Sequence, residues 1–564
     1  MDRLDTRLDI RLDTRRSLAA YMMHKSVPPE RWCVTSFDLN LLRHEVLLAI
    51  QRGHIQPSCF DNFDSLDREY GPNIYTVNDQ HIKLVTSNAG KMSWALMRHS
   101  EGLECDLFIS HAWQEGVFEF LRKVQYSWPR GLKNAWCCVL ANPQNLNISW
   151  FLKAPNSSPF AVALNASNVV LVVPNRHQSV YTRLWCAYEA YLAQEEGKII
   201  LIAHNSTLHY VGDLQYMALA AVMGTALGIF TTLHVSHALG FGVSVAGLLS
   251  LTIEHSTSRL VINFLCEMFC WLRVTNWDPF FPYADMWHFP WEVCPWHVRF
   301  FIHEFFFLTG AFFFLLMEVD RIHGKSSVLE AEQLRQHYKG SILYAECSQQ
   351  EDAINIHSEI GDKIGSVDYA IHVLLTAGMS TPTLRDIARA GVDIEDAAYT
   401  ELTGAATFLG PFDMMTSICM LLNMAYLGGK WHLAILPAVC FLSKLILLYL
   451  ICRSPTDERC FILKVMAKSV VMMIVVFLML CILPLNLTMT AASHLWLAIS
   501  NLFYCSIFAF AVLGIRGTAE LPCGLSLLQL FFARGSKALA AFALYGRRHS
   551  HTNLESDSTD SETD

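Results

Sequence analysis

Beyond Asp213 the chain is dominated by apolar runs long enough to cross a hydrocarbon layer, and these runs limit the possible folds more than anything before them. Stretches 216–233, 235–253, 298–317, 405–427, 431–452, 463–485 and 493–515 each come near the length that a core of about 30 Å requires. An eighth stretch, 260–274, is shorter and carries Glu267. Only 16% of the residues are charged and 52% are hydrophobic, whereas ordinary soluble domains run near 25% charged. Part of the chain is therefore expected to lie in a solvent other than water.

Basic residues set the expected orientation. Arg453, Arg459, Lys464 and Lys468 flank late spans, and Arg516, Arg534, Lys537, Arg547 and Arg548 follow the last one. The positive-inside rule puts these segments on the cytoplasmic side. With a cytoplasmic N-terminal domain the number of crossings is even, so 260–274 counts and the expectation is an all-α multi-pass bundle of about eight helices in a lipid bilayer. Both termini are then cytoplasmic, and Asn486, in an Asn-Leu-Thr sequon, lies outside as a glycosylation candidate. The net charge of −9, ending in an acidic tail, excludes nucleic acid as a partner on electrostatic grounds.

Before the apolar region the pattern is different. Runs at 105–110, 135–141, 168–174 and 198–203 have the length of strands, and helix-like stretches alternate with them. Strands that are apolar throughout point to a parallel sheet covered on both faces. The expected domains are a weakly patterned arm over 1–95, an α/β domain over 96–212 and a first bundle half over 213–320. A cytoplasmic helical insert follows over 321–404, then a second bundle half over 405–520. An interfacial helix and an acidic disordered tail complete the chain over 521–564. The seventeen Cys show no zinc-type spacing and read mostly as small buried hydrophobes. No Gly-rich phosphate loop or calcium loop is present.

DLFISHAW at 106–113 resembles the first strand and following loop of a Toll/interleukin-1 receptor (TIR) domain. RLWCAYEAYL at 183–192 resembles the TIR segment that carries a Trp-Cys helix after the third strand. Together they cover about residues 100–210, and the segment is also similar to TIR-like domains of algae and other protists. The resemblance implies a flavodoxin-like α/β fold that signals by self-association or by contact with other TIR-like domains. In enzymatic members it also implies cleavage of NAD as substrate, with no cofactor required. Carried over by motif position, the catalytic glutamate is Glu189, while Ser110, His111, Trp113 and Trp185 are candidates for holding the nucleotide. A fixed carboxylate suits the oxocarbenium-like state of N-glycosidic cleavage. The loop from Ala141 lacks the acid and the basic, glycine-containing stretch that TIR domains tend to carry there. On residue type alone, Glu189 is an ordinary solvated helix residue and Trp185 a core residue.

A second constellation lies in the apolar region: Glu267, His303 and Glu304. Ionisable groups in a span suggest a site, and sequential antiparallel helices would bring Glu267 toward His303. The alternative is that His303 and Glu304 reach interfacial water. The expected function is a membrane-anchored signalling protein with a cytoplasmic TIR-like domain, and the alternative is a transporter or channel that such a domain regulates.

Overall fold

The computed structural model describes residues 15–148, 154–205, 214–230, 256–275, 296–395, 442–482 (without 444) and 489–532, with isolated positions elsewhere. The chain divides into two compact units, one built from Met1–Ser206 with Ser326–Glu395 and the other from Thr207–Lys325 with Asp396–Arg534.

The first unit is organised by a six-stranded sheet of order β1-β3-β2-β4-β5-β6: Val34–Thr35 (β1), Leu107–Ser110 (β2), Asn134–Cys137 (β3), Val169–Val172 (β4), Ile199–Ile202 (β5) and Met379–Ser380 (β6). The four central strands are parallel, in register Leu107 with both Ala135 and Val169, and Val169 with Ile199. Their apolar side chains are covered on both faces; every residue of β2 is buried. That is why these runs are apolar throughout instead of alternating. Counted by themselves, the four run 2-1-3-4, the doubly wound order in which ligand sites form where the direction of winding reverses.

Two features correct the expected sheet. It is mixed, because β1 and β6 add antiparallel edges. Its residues also come from well outside 96–212. The weakly patterned arm supplies β1 and the helix Ser36–Gln51, which begins with a reciprocal cap between Thr35 and Asp38. Trp32, Trp94 and Leu39 from this arm are buried in the same core as Phe108 and Trp136. Residues Ser326–Glu395, most of the predicted insert, supply β6 and the helices Gln350–Ile360, Ile364–Ala377 and Pro382–Arg389.

In the second unit, helix Gln215–Phe230 lies so close to helix Ser256–Thr275 that a Cβ at Gly224 would sit 2.2 Å from the Met268 carbonyl oxygen. Glycine is required there because backbone meets backbone. Met217, Cys266, Cys270, Phe307, Phe313, Phe314 and Met317 form the core of this region.

The expected eight-helix transmembrane bundle is not what the chain forms among the described residues: no single helix there is both long and apolar enough to cross a membrane. Helix Gln215–Phe230 has 16 residues, about 24 Å at 1.5 Å per residue, short of a core of about 30 Å. Ser256–Thr275 includes Arg259, Glu267 and Arg273. Thr456–Ile482 opens on Asp457, Glu458 and Arg459 and carries Lys464 and Lys468. Met489–Ala519 is broken at Gly514, whose φ of 69° is non-helical. One bent pair, Cys505–Ala519 with Gly524–Phe532 at 110°, has the length and composition of a crossing. A sliding count of apolar residues registers neither where a helix breaks nor what charge its flanks carry. The predicted spans 235–253 and 405–427, most of 431–452, and Asn486 lie outside the described residues.

Candidate functional site

The carboxyl ends of β2 and β4 bring together the two sequence motifs singled out above. Ser110 ends β2, and its hydroxyl donates to Glu189 Oε2 at 2.5 Å across 79 residues of sequence. Glu189 lies on helix Leu184–Glu195 and is 5% exposed. Burial drives its carboxyl pKa up to about 8, partly opposed by the Ser110 hydrogen bond and by the charge of Arg183. At neutral pH the group is mainly the neutral acid, so it is not the solvated residue that its sequence context suggests.

His111 continues from Ser110 and is fully enclosed. Its Nε2 lies 3.2 Å from Cys138 Sγ and 3.5 Å from Cys137 Sγ. Burial, reinforced by the nearby Arg183, lowers its pKa to about 3, so the ring is neutral. The Cys138 thiol is likewise held protonated, because burial raises it to about 12. This pair is therefore no ready-made nucleophile and base. Trp113 donates its indole N–H to Cys138 Sγ at 3.2 Å, and its ring meets Tyr75 at 5.3 Å. The turn leading away is tight: a Cβ at Gly116 would lie 2.5 Å from the Tyr70 carbonyl oxygen.

Trp185 is not gathered into this group. It stacks on Phe160 at 5.1 Å and donates to Asp352 Oδ2 at 3.3 Å, which makes it a packing residue between helix Leu184–Glu195 and helix Gln350–Ile360. Three participants were not picked out from the sequence: Arg183, Tyr75 and Gln114. Arg183 Nη1 reaches Tyr75 Oη at 3.0 Å and Gln114 Oε1 at 3.5 Å. Its signal was adjacency to the Trp-Cys helix, whereas Tyr75 comes from the unpatterned arm and gave none.

In the second unit, Glu267 is buried, and the side chains of His303 and Glu304 lie outside the described residues. The charged centre that is described there is another: Glu318 accepts from Arg321 Nε at 2.8 Å, from Arg321 Nη2 at 2.6 Å and from Asn263 Nδ2 at 3.1 Å. Among the described residues no group of three or more His, Cys, Asp and Glu side chains is placed to hold a metal ion.

Comparison with protein-family models, with curated proteins and with solved structures finds no match to this chain. Its functional reading therefore rests on the site itself.

Proposed function

We propose that the first unit is a TIR-like signalling module that receives NAD at its Ser110–Glu189 pair and cleaves the nicotinamide N-glycosidic bond. The observation that carries this reading is the hydrogen bond between Ser110 and Glu189. It joins the two motifs of the resemblance at the sheet position where doubly wound folds bind ligands. In the proposed step the C1′–N bond breaks, nicotinamide departs and water adds to C1′, giving ADP-ribose and a proton. The Glu189 carboxylate stabilises the positive charge that develops on the ribose ring. That role needs the ionised form, so turnover rises with pH toward about 8, where Glu189 loses its proton. The basic clusters support a cytoplasmic location for this unit, with the bent apolar pair of the second unit as its attachment to a bilayer.

The test is NAD consumption by the full chain, dispersed and clustered on vesicles, beside Glu189→Ala. Turnover is expected to fall about 10²-fold or more in the variant. A folded, clustered chain that leaves NAD intact defeats the hydrolase reading and leaves an adaptor that works by association.

A further inference from the structure

The arginines of the first unit fall into two groups, those in ion pairs and those, such as Arg122, Arg385 and Arg183, whose side-chain hydrogen bonds go to neutral groups. Arg98 pairs with Asp38 at 3.2 Å and Arg176 with Glu119 at 3.2 Å. Half-buried Arg183 has no carboxylate within ion-pair distance among the described residues. Its hydrogen-bond partners are a phenol and a primary amide, Tyr75 and Gln114. A guanidinium whose hydrogen-bond partners are neutral keeps its charge available to an anion, and the bond to Tyr75 lies at the exposed surface, where an anion can reach it. The charge also sits at the cap position of the 12-residue helix Leu184–Glu195, whose amino-terminal dipole adds to the positive field.

The surroundings define what kind of anion would fit. Tyr75, 40% exposed, and partly exposed Trp113 present rings 5.3 Å apart at an interplanar angle of 53°. The Tyr75 hydroxyl is also a partner of Arg183, so the aromatic platform and the cation are one connected structure. Cation, aromatic pair and the polar Ser110–Glu189 pair thus lie together at one end of the sheet. The sequence showed no Gly-rich phosphate loop.

We infer that Arg183 is the phosphate-recognising residue of this site, and that the ligand is a nucleoside diphosphate derivative whose base lies against Trp113 and Tyr75. This inference rests on the proposed nucleotide site but not on its hydrolytic activity. Bidentate pairing of a guanidinium with phosphate oxygens supplies affinity and register, leaving the Ser110–Glu189 pair for the sugar.

The experiment is calorimetric titration of the full chain with ADP-ribose, NAD, nicotinamide riboside and inorganic pyrophosphate, on wild type, Arg183→Gln and Arg183→Lys. ADP-ribose and NAD are expected to bind, and to weaken about tenfold or more in Arg183→Gln. Arg183→Lys should restore part of the loss, and nicotinamide riboside should bind equally to all three proteins. Should Arg183→Gln fail to fold, Arg183→Lys decides: ADP-ribose and pyrophosphate should both bind it more weakly than wild type, and nicotinamide riboside should not. Equal ADP-ribose affinity in wild type and Arg183→Gln overturns the inference, as does an equal loss for NAD and nicotinamide riboside or the absence of any binding by wild type. NAD cleaved through Glu189 with no effect of Arg183→Gln would sink the phosphate site alone. ADP-ribose bound through Arg183 without cleavage of NAD would sink the hydrolase reading alone.

Discussion

Glu189 and Glu318 are both glutamates withdrawn from water, and the two units of the chain treat them in opposite ways. Glu318, fully buried, is held by two guanidinium contacts and by Asn263. Glu189, equally enclosed, has a serine hydroxyl as its partner. A carboxylate with two arginine N–H groups on one oxygen and an amide N–H on the other has its charge matched in place. Glu189 has a hydroxyl partner and the through-space charge of Arg183, which together do not offset its burial, so its pKa stays raised. Burial alone therefore does not mark a site, and what distinguishes the two is whether the partner carries a charge.

The comparison breaks most visibly at Glu318. Glu318→Ala removes the buried carboxylate that accepts from both Arg321 Nε and Arg321 Nη2. Removing one member of a buried pair costs about 3–5 kcal/mol. Denaturant unfolding of the variant should show a loss of that order, much of it recovered in Glu318→Ala with Arg321→Met, where the buried guanidinium is gone as well. A loss under about 1 kcal/mol would mean that water already solvates the pair, and the contrast with Glu189 would fail.

Glu189 predicts a different signature, read in pH. Its folded pKa of about 8 lies above the ordinary 4.5. Between these values the unfolded chain has released the proton and the folded chain still binds it. Stability should therefore fall as pH rises through this window, by at most about 1.4 kcal/mol per pH unit, and level off above it. Glu189→Gln, which keeps an acceptor for Ser110 and cannot ionise, should remove that slope. Unfolding free energies of the two proteins between pH 5 and pH 9, subtracted (both pH limits being about the edges of the window), isolate it. A flat difference would mean that Glu189 ionises freely in the folded chain.

What the sequence made legible follows the same division. The four central strands could be read because turn residues bracket short apolar runs, and the Ser-His-x-Trp loop and Glu189 fell at their carboxyl ends. Tyr75 could not be placed, because its position depends on the backbone N–H of Ile74 bonding to the Trp113 and Glu115 carbonyls, a long-range pairing without periodicity. The edge strands β1 and β6, two residues each, are too short to leave a pattern. In the apolar region, residue type gave helices correctly where they are described, but not their ends, breaks or neighbours. Glu318 and Arg321, three apart and past the end of a predicted span, form a buried pair that no apolar pattern marks.

A third buried junction is expected to give the smallest effect. Tyr188, one residue before Glu189, is fully buried and donates its hydroxyl to Glu359 Oε1 at 2.6 Å. Here a part-exposed carboxylate receives a neutral donor from the core, the reverse of Glu189, a core carboxylate receiving one from the strand. The same helix is also fastened to the 341–366 segment by Leu184 N–H to the Glu346 carbonyl, by Trp185 to Asp352 and by Gln194 to Ser366. With those contacts retained, Tyr188→Phe should cost about 1–2 kcal/mol. It should also lower amide-exchange protection along Leu184–Glu195 while leaving the strands protected. If protection fell equally in β2 and β4, the helix and sheet would open as one unit, and the 341–366 segment would be holding the entire domain closed instead of the one helix that carries Arg183 and Glu189.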